Sequence, residues 1–288
     1  MILITGAAGK TGHAILKAAV QAGEDVRVLV RRDSQTAELR ELGASGTVVG
    51  DMADPTAMQQ ACIGIRTIYH ICPNMNPDEV SIGQNAITAA KQAGVDHFVY
   101  HSVLHPQVKE MQHHWNKLLV EGLLFTSGLN FTILQPASYM QNITGYLQKM
   151  QTDGIYSVPY SIDAKFSMID LDDLAQAAAV VIREGQKHYQ ATYELSGAQI
   201  LSSADIANLA AEILRRPVLA VELDRTEWDH NARASGMDEY ARTTLISMFE
   251  YYHHFGFTGN ATILRMLLGR SPARVEDYLA RLLADHPA

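Results

Sequence analysis

The sequence predicts an α/β fold, a doubly wound parallel sheet with a smaller, interleaved C-terminal α/β lobe. Three observations carry this reading. The first half of the chain alternates short β-branched apolar runs with segments of helical period, the pattern of successive strand–helix–strand units. A glycine-rich turn stands where the first apolar run meets the first helical segment. The 288 residues, 47% of them hydrophobic, suffice to bury a large core, and the alternation loosens after Leu134, marking a change of architecture.

The expected strands are Ile2–Thr5, Asp25–Val30, Thr47–Val49, Thr67–Ile71, His97–His101 and Asn130–Leu134, each short and rich in β-branched or aromatic residues. Helices are expected between them at Gly12–Ala22, Thr36–Leu42, Pro55–Ala61, Val80–Ala93 and Val108–Ser127. Gly23, Gly43, Gly94 and Gly128 each follow the last periodic residue of a helix, where a left-handed cap is wanted. Right-handed crossovers then wind the strands into one sheet. Further on, Gln151–Lys165 is turn-rich, Phe166–Ile169 reads as a strand and Leu171–Arg183 as a helix. Tyr193–Leu195, Ala204–Leu214 and Val218–Leu223 continue the α/β character, and Trp228–Phe255 reads as helical. With no repeat or linker between the halves, we expect a sheet domain over 1–150, to which 166–184 returns, and a smaller lobe over 151–288.

Composition excludes several classes. A formal net charge of −8, with no cluster of Lys and Arg larger than a pair, argues against a nucleic-acid binder. Cys62 and Cys72 lack metal-ligand spacing and fit a reducing compartment, and no apolar stretch of about 18 residues exists, so a soluble, cytoplasmic protein, monomer or homodimer, is expected. The 12 histidines invite a metal reading. His101 and His105 have i, i+4 spacing, but they lie at a strand end and Pro106 opposes the helix such a pair needs, while His253-His254 lack a carboxylate in ligand frame; no metal is expected.

The segment Thr5-Gly6-Ala7-Ala8-Gly9-Lys10-Thr11-Gly12 has the strand–turn–helix context of a dinucleotide-binding Rossmann fold. Gly6 permits the tight turn off the strand. Gly9 lets the backbone approach a pyrophosphate, Gly12 lets the helix pack closely, and the helix N-terminus offers N–H groups to the anion. At the end of the second strand, where an acid would grip the ribose of NAD, stand Arg31 and Arg32, whose guanidiniums suit a 2′-phosphate. NADP(H) is therefore the expected cofactor, with NAD(H) as the alternative that Asp33 would serve. Asp51 and Met52, after the third strand, are placed to meet the adenine, although Asp51 could equally cap the helix that starts near Pro55.

With these residues in view the chain resembles the NmrA-like branch of the atypical short-chain dehydrogenase/reductases. The resemblance rests on the TGAAGKTG turn, Arg31-Arg32, Gly50-Asp51, the run Pro136-Ala137-Ser138-Tyr139-Met140-Gln141-Asn142 and the closing Leu268-Gly269-Arg270-Ser271-Pro272. It implies contacts to the cofactor from Thr5, Lys10, Thr11, Cys72, Pro73, Pro136 and Tyr139 beside those already named. It also implies one of two activities: an NADPH-dependent reductase of a small apolar electrophile such as a quinone or conjugated carbonyl, or a non-catalytic NADP(H)-binding sensor that acts on a protein partner. A nucleotide-sugar epimerase is disfavoured, because no Tyr stands four residues before any Lys and the usual Tyr-x-x-x-Lys pair is missing.

Lys117 matches the active-site lysine of that family, with His113 in place of the Tyr, although His105 and Lys109 repeat the same spacing. An imidazole with its ordinary pKa of about 6.5 would supply a proton near neutrality. Ser102, at the end of the fifth strand, is expected to bond a substrate oxygen or the nicotinamide amide. Tyr139, Met140, Met237, Tyr240, Phe249 and Tyr251 are expected in part to line or cover a pocket and in part to pack the core.

Overall fold

Ile2-Leu3-Ile4 is fully buried and forms strand β1 (Ile2–Ile4) of a computed structural model that describes residues 1–286, so the last two residues of the expected lobe lie outside the described residues. There follow α1 (Lys10–Gln21), β2 (Val26–Val30), α2 (Thr36–Glu41), β3 (Gly46–Val49), α3 (Pro55–Cys62), β4 (Thr67–His70), α4 (Glu79–Ala93), β5 (His97–His101), α5 (Gln112–Phe125) and β6 (Phe131–Pro136). The chain then builds α6 (Leu147–Asp153), β7 (Ile155–Val158) and β8 (Lys165–Phe166), and continues through α7 (Leu171–Glu184) into β9 (Ala191–Leu195). The remainder is β10 (Leu201–Ser202), α8 (Ser203–Leu214), β11 (Leu219–Glu222), α9 (Arg225–Ala234), α10 (Glu239–Phe255), α11 (Thr262–Leu268) and α12 (Val275–Asp285). Among the described residues no helix is long and apolar enough to cross a membrane.

Seven strands, one more than the sequence predicts, form the main sheet in the order β3-β2-β1-β4-β5-β6-β9. Ile2 pairs in parallel with Val26 on one side and Thr67 on the other, so strand order reverses between β1 and β4. Ligands of open α/β sheets bind at the carboxyl ends of the strands beside such a reversal. Two compact units emerge: residues 1–109, 113–136 and 172–194 make the first, and 110–112, 137–171 and 195–288 the second. The sheet unit thus gives way at Pro136, ahead of the expected 150, and regains the chain from 172 rather than 166.

Leu3, Ile68, Phe98, Tyr100 and Ile133 on the sheet pack with Ala86, Ile87, Val120 and Leu124 from the helices. Each large side chain so buried contributes about 1.5–3 kcal/mol of transfer free energy. Gly83 lets α4 and α5 approach closely, since a Cβ there would lie 2.7 Å from Val120 Cγ1.

Three expected elements are corrected. The helix expected from Val108 begins at Gln112, because His105 takes a φ of 53° and the Val108 N–H bonds back to His105 O as a turn. The stretch Trp228–Phe255 is two helices, broken where Gly236 has a φ of 85° and Asp238 caps α10 by accepting from Ala241 N at 2.9 Å. The strand expected at Phe166–Ile169 keeps only β8, whose partner is β10.

Candidate active site

The glycine turn has three different local geometries. Gly6 has a φ of 63°, and a Cβ on it would lie 2.8 Å from Ile71 O at the end of β4. At Gly12 a Cβ would lie 2.2 Å from Gly6 O, so the first turn of α1 rests on the glycine turn itself. A Cβ on Gly9 would meet nothing closer than Gly6 O at 3.5 Å, leaving the space over that residue open. Gly9 is the N-cap of α1, no side chain caps this end, and its first turn carries no acid. The N–H groups of Lys10, Thr11 and Gly12 have no backbone acceptor among the described residues, whereas His13 N bonds Gly9 O at 2.9 Å. This end is thus an anion cradle that fits a diphosphate.

Thr5 lies beneath the cradle. Its hydroxyl accepts from Ile71 N at 2.9 Å and lies 3.1 Å from Ile71 O and 3.0 Å from His70 Nδ1, so it ties β1 to β4. Arg31 and Arg32 follow β2 directly with both side chains exposed, and the Arg32 N–H donates to Gln35 Oε1 at 3.0 Å. Asp51 does not cap α3. Its Oδ1 accepts from Ala53 N, and Asp54 makes the cap by accepting from Thr56 N, both at 2.9 Å. Met52 packs partly into the core.

Beyond β4, Cys72 is buried and Pro73 exposed. Burial, then Glu79, pushes the Cys72 thiol well above its ordinary range, so it is not a thiolate. Nearby lies Lys117, which is 5% exposed. Its Nζ donates to Glu79 Oε1 at 3.0 Å and to His101 O at 3.3 Å, and lies 5.5 Å from the centre of the Tyr100 ring. The Tyr100 hydroxyl donates to the same Glu79 oxygen at 2.9 Å. Lys109, the lysine of the competing spacing, is exposed and stands 5.9 Å from the Trp115 ring centre.

His113 lies on α5 one turn before Lys117, and its burial corrects the expected titration. Loss of hydration, then the nearby Lys117 charge, holds its pKa well below 6.5, so the ring is neutral at neutral pH. His101, whose Nδ1 lies 2.9 Å from the Tyr69 hydroxyl, is held by burial at about 3, and His114 at about 4. Ser102 is committed to the interior: its hydroxyl donates to Glu121, which also accepts from Gln135 Nε2 at 2.9 and 3.1 Å. Burial raises the Glu121 pKa.

Pro136 ends β6, and its carbonyl accepts from Leu104 N at 2.9 Å. Tyr139 belongs to the second unit, where it forms a bridge with Ile169. Of the expected pocket aromatics, Phe249 packs on Trp228 with ring centres 4.8 Å apart, Tyr251 packs on Phe255 at 5.0 Å, and Met140 is core. His253 and His254 do have carboxylates near them, Glu222 at 3.3 Å and Glu250 at 2.9 Å.

Sequence reasoning missed Glu79, Tyr100, Glu121 and Gln135, which form the buried polar interior around Lys117 and Ser102. A signal existed. Glu79 falls in phase with Ile82, Gly83 and Ala86 on the buried stripe of α4, and Lys117 and Glu121 fall in phase with Val120 and Leu124 on α5. A charge on the apolar stripe of a helix marks a buried, partnered group.

This chain is similar to the NAD(P)H azoreductase of Xenophilus azovorans, at 31% identity over 246 residues, covering 83% of this chain and 82% of that protein. It is 29% identical over 281 residues to the photosystem II assembly factor Ycf39 of Cyanophora paradoxa, covering 88% and 83% of the two chains. In fold it matches the NADPH complex of the NADPH-dependent quinone oxidoreductase QOR2 of Escherichia coli, with a TM-score of 0.87 at 23% identity over 98% of this chain and 100% of that one. The model of the NmrA-like family matches residues 1–279, and the chain belongs to that family.

Proposed function

We propose that this chain is an NADPH-dependent reductase that delivers hydride to a small apolar electrophile, a quinone, an azo dye or a conjugated carbonyl. The observation that carries the reading is the buried Lys117 of α5, doubly anchored to Glu79 and to the carbonyl at the end of β5, close to the strand end on which the glycine cradle packs. Gly6 packs on Ile71, and the next residue, Cys72, lies within the field of Lys117. The activities of the azoreductase and quinone oxidoreductase relatives support the same chemistry.

When bound, the reduced nicotinamide supplies the hydride. The cradle at Gly6, Gly9 and the first turn of α1 holds the diphosphate, with Lys10 and Thr11 at its lip, and Arg31 and Arg32 grip the 2′-phosphate. Asp51 and Met52 attend the adenine, and Cys72, Pro73 and Pro136 complete the cofactor contacts of the sheet unit. Lys117 holds the nicotinamide ribose and releases a proton from Nζ to the heteroatom of the reduced substrate, a proton that solvent then restores. His113, held neutral, lines this position rather than serving as the acid, and Ser102 acts through its tie to Glu121.

One observation favours a second reading, a dinucleotide-binding sensor: the similarity to an assembly factor at comparable identity and coverage. A turnover screen with NADPH against quinones, azo dyes and enones, run beside titration of NADPH and NADP⁺, separates the two. On the reductase reading Lys117→Met lowers the rate about 10²-fold, the scale of positioned acid–base help. Tight NADPH binding with no turnover of any substrate favours the sensor.

A further inference from the structure

The usual partner of the active-site lysine, a tyrosine one helical turn earlier, is missing, and His113 stands there instead. We propose that Glu79 is the positioning residue that aims Lys117, and that Tyr100 in turn holds Glu79. The proposal rests on the reading that Lys117 works at the reacting centre.

A lysine ammonium is a point charge on a flexible four-carbon stem with three donors, and burial alone does not direct it. Here two anchors direct it. Glu79 Oε1, from the first turn of α4, accepts from Nζ at 3.0 Å, and the backbone carbonyl of His101, at the end of β5, accepts from it at 3.3 Å. Two donors are thereby engaged, and the third is left for a ligand. Glu79 is itself fixed: it is 1% exposed, and the oxygen that receives Lys117 also accepts the Tyr100 hydroxyl at 2.9 Å. Its other oxygen, Oε2, is buried with no hydrogen-bond partner, and the protonated Cys72 thiol is a further neighbour of the carboxylate, so the charged and hydroxyl partners that fix Glu79 meet at Oε1.

Three elements thus converge on one nitrogen: Tyr100 and His101 from β5, Glu79 from α4, and Lys117 from α5. The anchoring that a same-helix tyrosine would give comes from a neighbouring helix. A carboxylate that merely neutralised a buried ammonium would need no second fixture from the strand. Tyr100 supplies one.

The test is a double-mutant cycle in the full chain, with Glu79→Gln, Tyr100→Phe, Lys117→Met and Lys117→Met/Glu79→Gln. Each variant is read by kcat and KM for a quinone with NADPH, by NADP⁺ affinity from fluorescence titration, and by thermal unfolding to confirm folding. Glu79→Gln is expected to lower kcat about 10–100-fold with KM changed less than about threefold, and to weaken NADP⁺ about threefold or more. In the Lys117→Met background the same change is expected to alter either quantity less than about twofold, because Glu79 acts through the lysine. Tyr100→Phe keeps the ion pair and folds even if Glu79→Gln does not, and is expected to cost about three- to tenfold in kcat.

A normal kcat and NADP⁺ affinity in Glu79→Gln, beside a crippled Lys117→Met, overturns the proposal and leaves the role of Lys117 intact. Equal effects of Glu79→Gln with and without Lys117 also overturn it, as does an unaltered Tyr100→Phe should Glu79→Gln fail to fold. A normal Lys117→Met removes the reading beneath the proposal and the proposal with it. If no substrate is turned over, the NADP⁺ affinity cycle decides alone.

Discussion

Two alanine substitutions three residues apart in the same turn are expected to fail in opposite ways, which makes the glycine cradle directly testable. At Gly12 an added Cβ would lie 2.2 Å from Gly6 O, 2.5 Å from Ala7 Cα and 2.8 Å from Gly6 C, and all three are backbone atoms. The overlap is relieved only by moving the turn or the helix, an overpacking cost of about 1–3 kcal/mol or more. The reduced freedom of the unfolded chain returns only about 0.4–1 kcal/mol. Because backbone atoms cannot swing aside, the cost falls at the upper end, about 3 kcal/mol, and the net of about 2–2.6 kcal/mol is expected to lower the Tm of Gly12→Ala by about 4–10 °C, at roughly 2–4 °C per kcal/mol. Gly9 differs in both respects: its φ of −90° and ψ of 163° suit any residue, and nothing lies within 3.5 Å of an added Cβ. The loss of glycine at an N-cap and the gain in the unfolded chain, each a few tenths to about 1 kcal/mol, nearly cancel. Gly9→Ala should thus keep Tm within about 2 °C while its methyl blocks the diphosphate and weakens NADPH at least about tenfold, near 1.4 kcal/mol. Differential scanning fluorimetry and calorimetric titration read the two effects. Wild-type NADPH affinity in Gly9→Ala, or a wild-type Tm in Gly12→Ala, would refute the assignment of the cradle.

NADPH is expected to bind at least about tenfold more tightly than NADH, and Arg31→Ala or Arg32→Ala to erase most of that preference; equal affinities in titration calorimetry would show that the exposed pair does not meet a phosphate. Stability is expected to fall on mild acidification, because burial holds His70 and His101 at about 3 and His97 and His114 at about 4. Their native pKa values lie below the unfolded value of about 6.5, so the unfolded chain takes up the extra protons; the stabilisation is complete above pH 6.5 and is lost toward pH 4 and below, by up to about 1.4 kcal/mol per pH unit for each imidazole. Unfolding midpoints measured from pH 7.5 to 5, before most carboxylates titrate, should drop steadily, and a flat profile would mean that these rings are not held neutral.

Most of the sheet was legible because its signals are local. The β-branched runs of β1 to β6 and the glycine stops after the helices need only neighbours in sequence, and His97–His101 matches β5 residue for residue. The seventh strand was half seen, as Tyr193–Leu195, because β9 has a mixed burial pattern and its place in the sheet depends on a pairing with β6 more than fifty residues away. The break after Ala234 was missed because Gly236 and Asp238 punctuate a segment whose helical composition continues on both sides. In the site, Lys117 was visible by spacing, while its partner Glu79 looked like an ordinary first-turn acid. The pKa of His113 was beyond reach for the same reason: desolvation comes from α5 packing, which the spacing of His and Lys does not encode.

The threading of the backbone constrains how this protein can be cut or rearranged. The sheet unit draws its last helix and its edge strand from 172–194, after the polypeptide has already supplied 137–171 to the other unit. A fragment ending at Pro136 would expose the backbone edge of β6 that β9 covers, an invitation to aggregation through strand pairing. Expression of the nucleotide-binding half alone therefore requires either the intact run to Glu194 or a graft that joins Pro136 to Asp172 through a short engineered connection. Modular recombination at the midpoint of the gene is barred by the same threading, so diversification of such a chain proceeds by substitution and loop insertion rather than by exchange of halves.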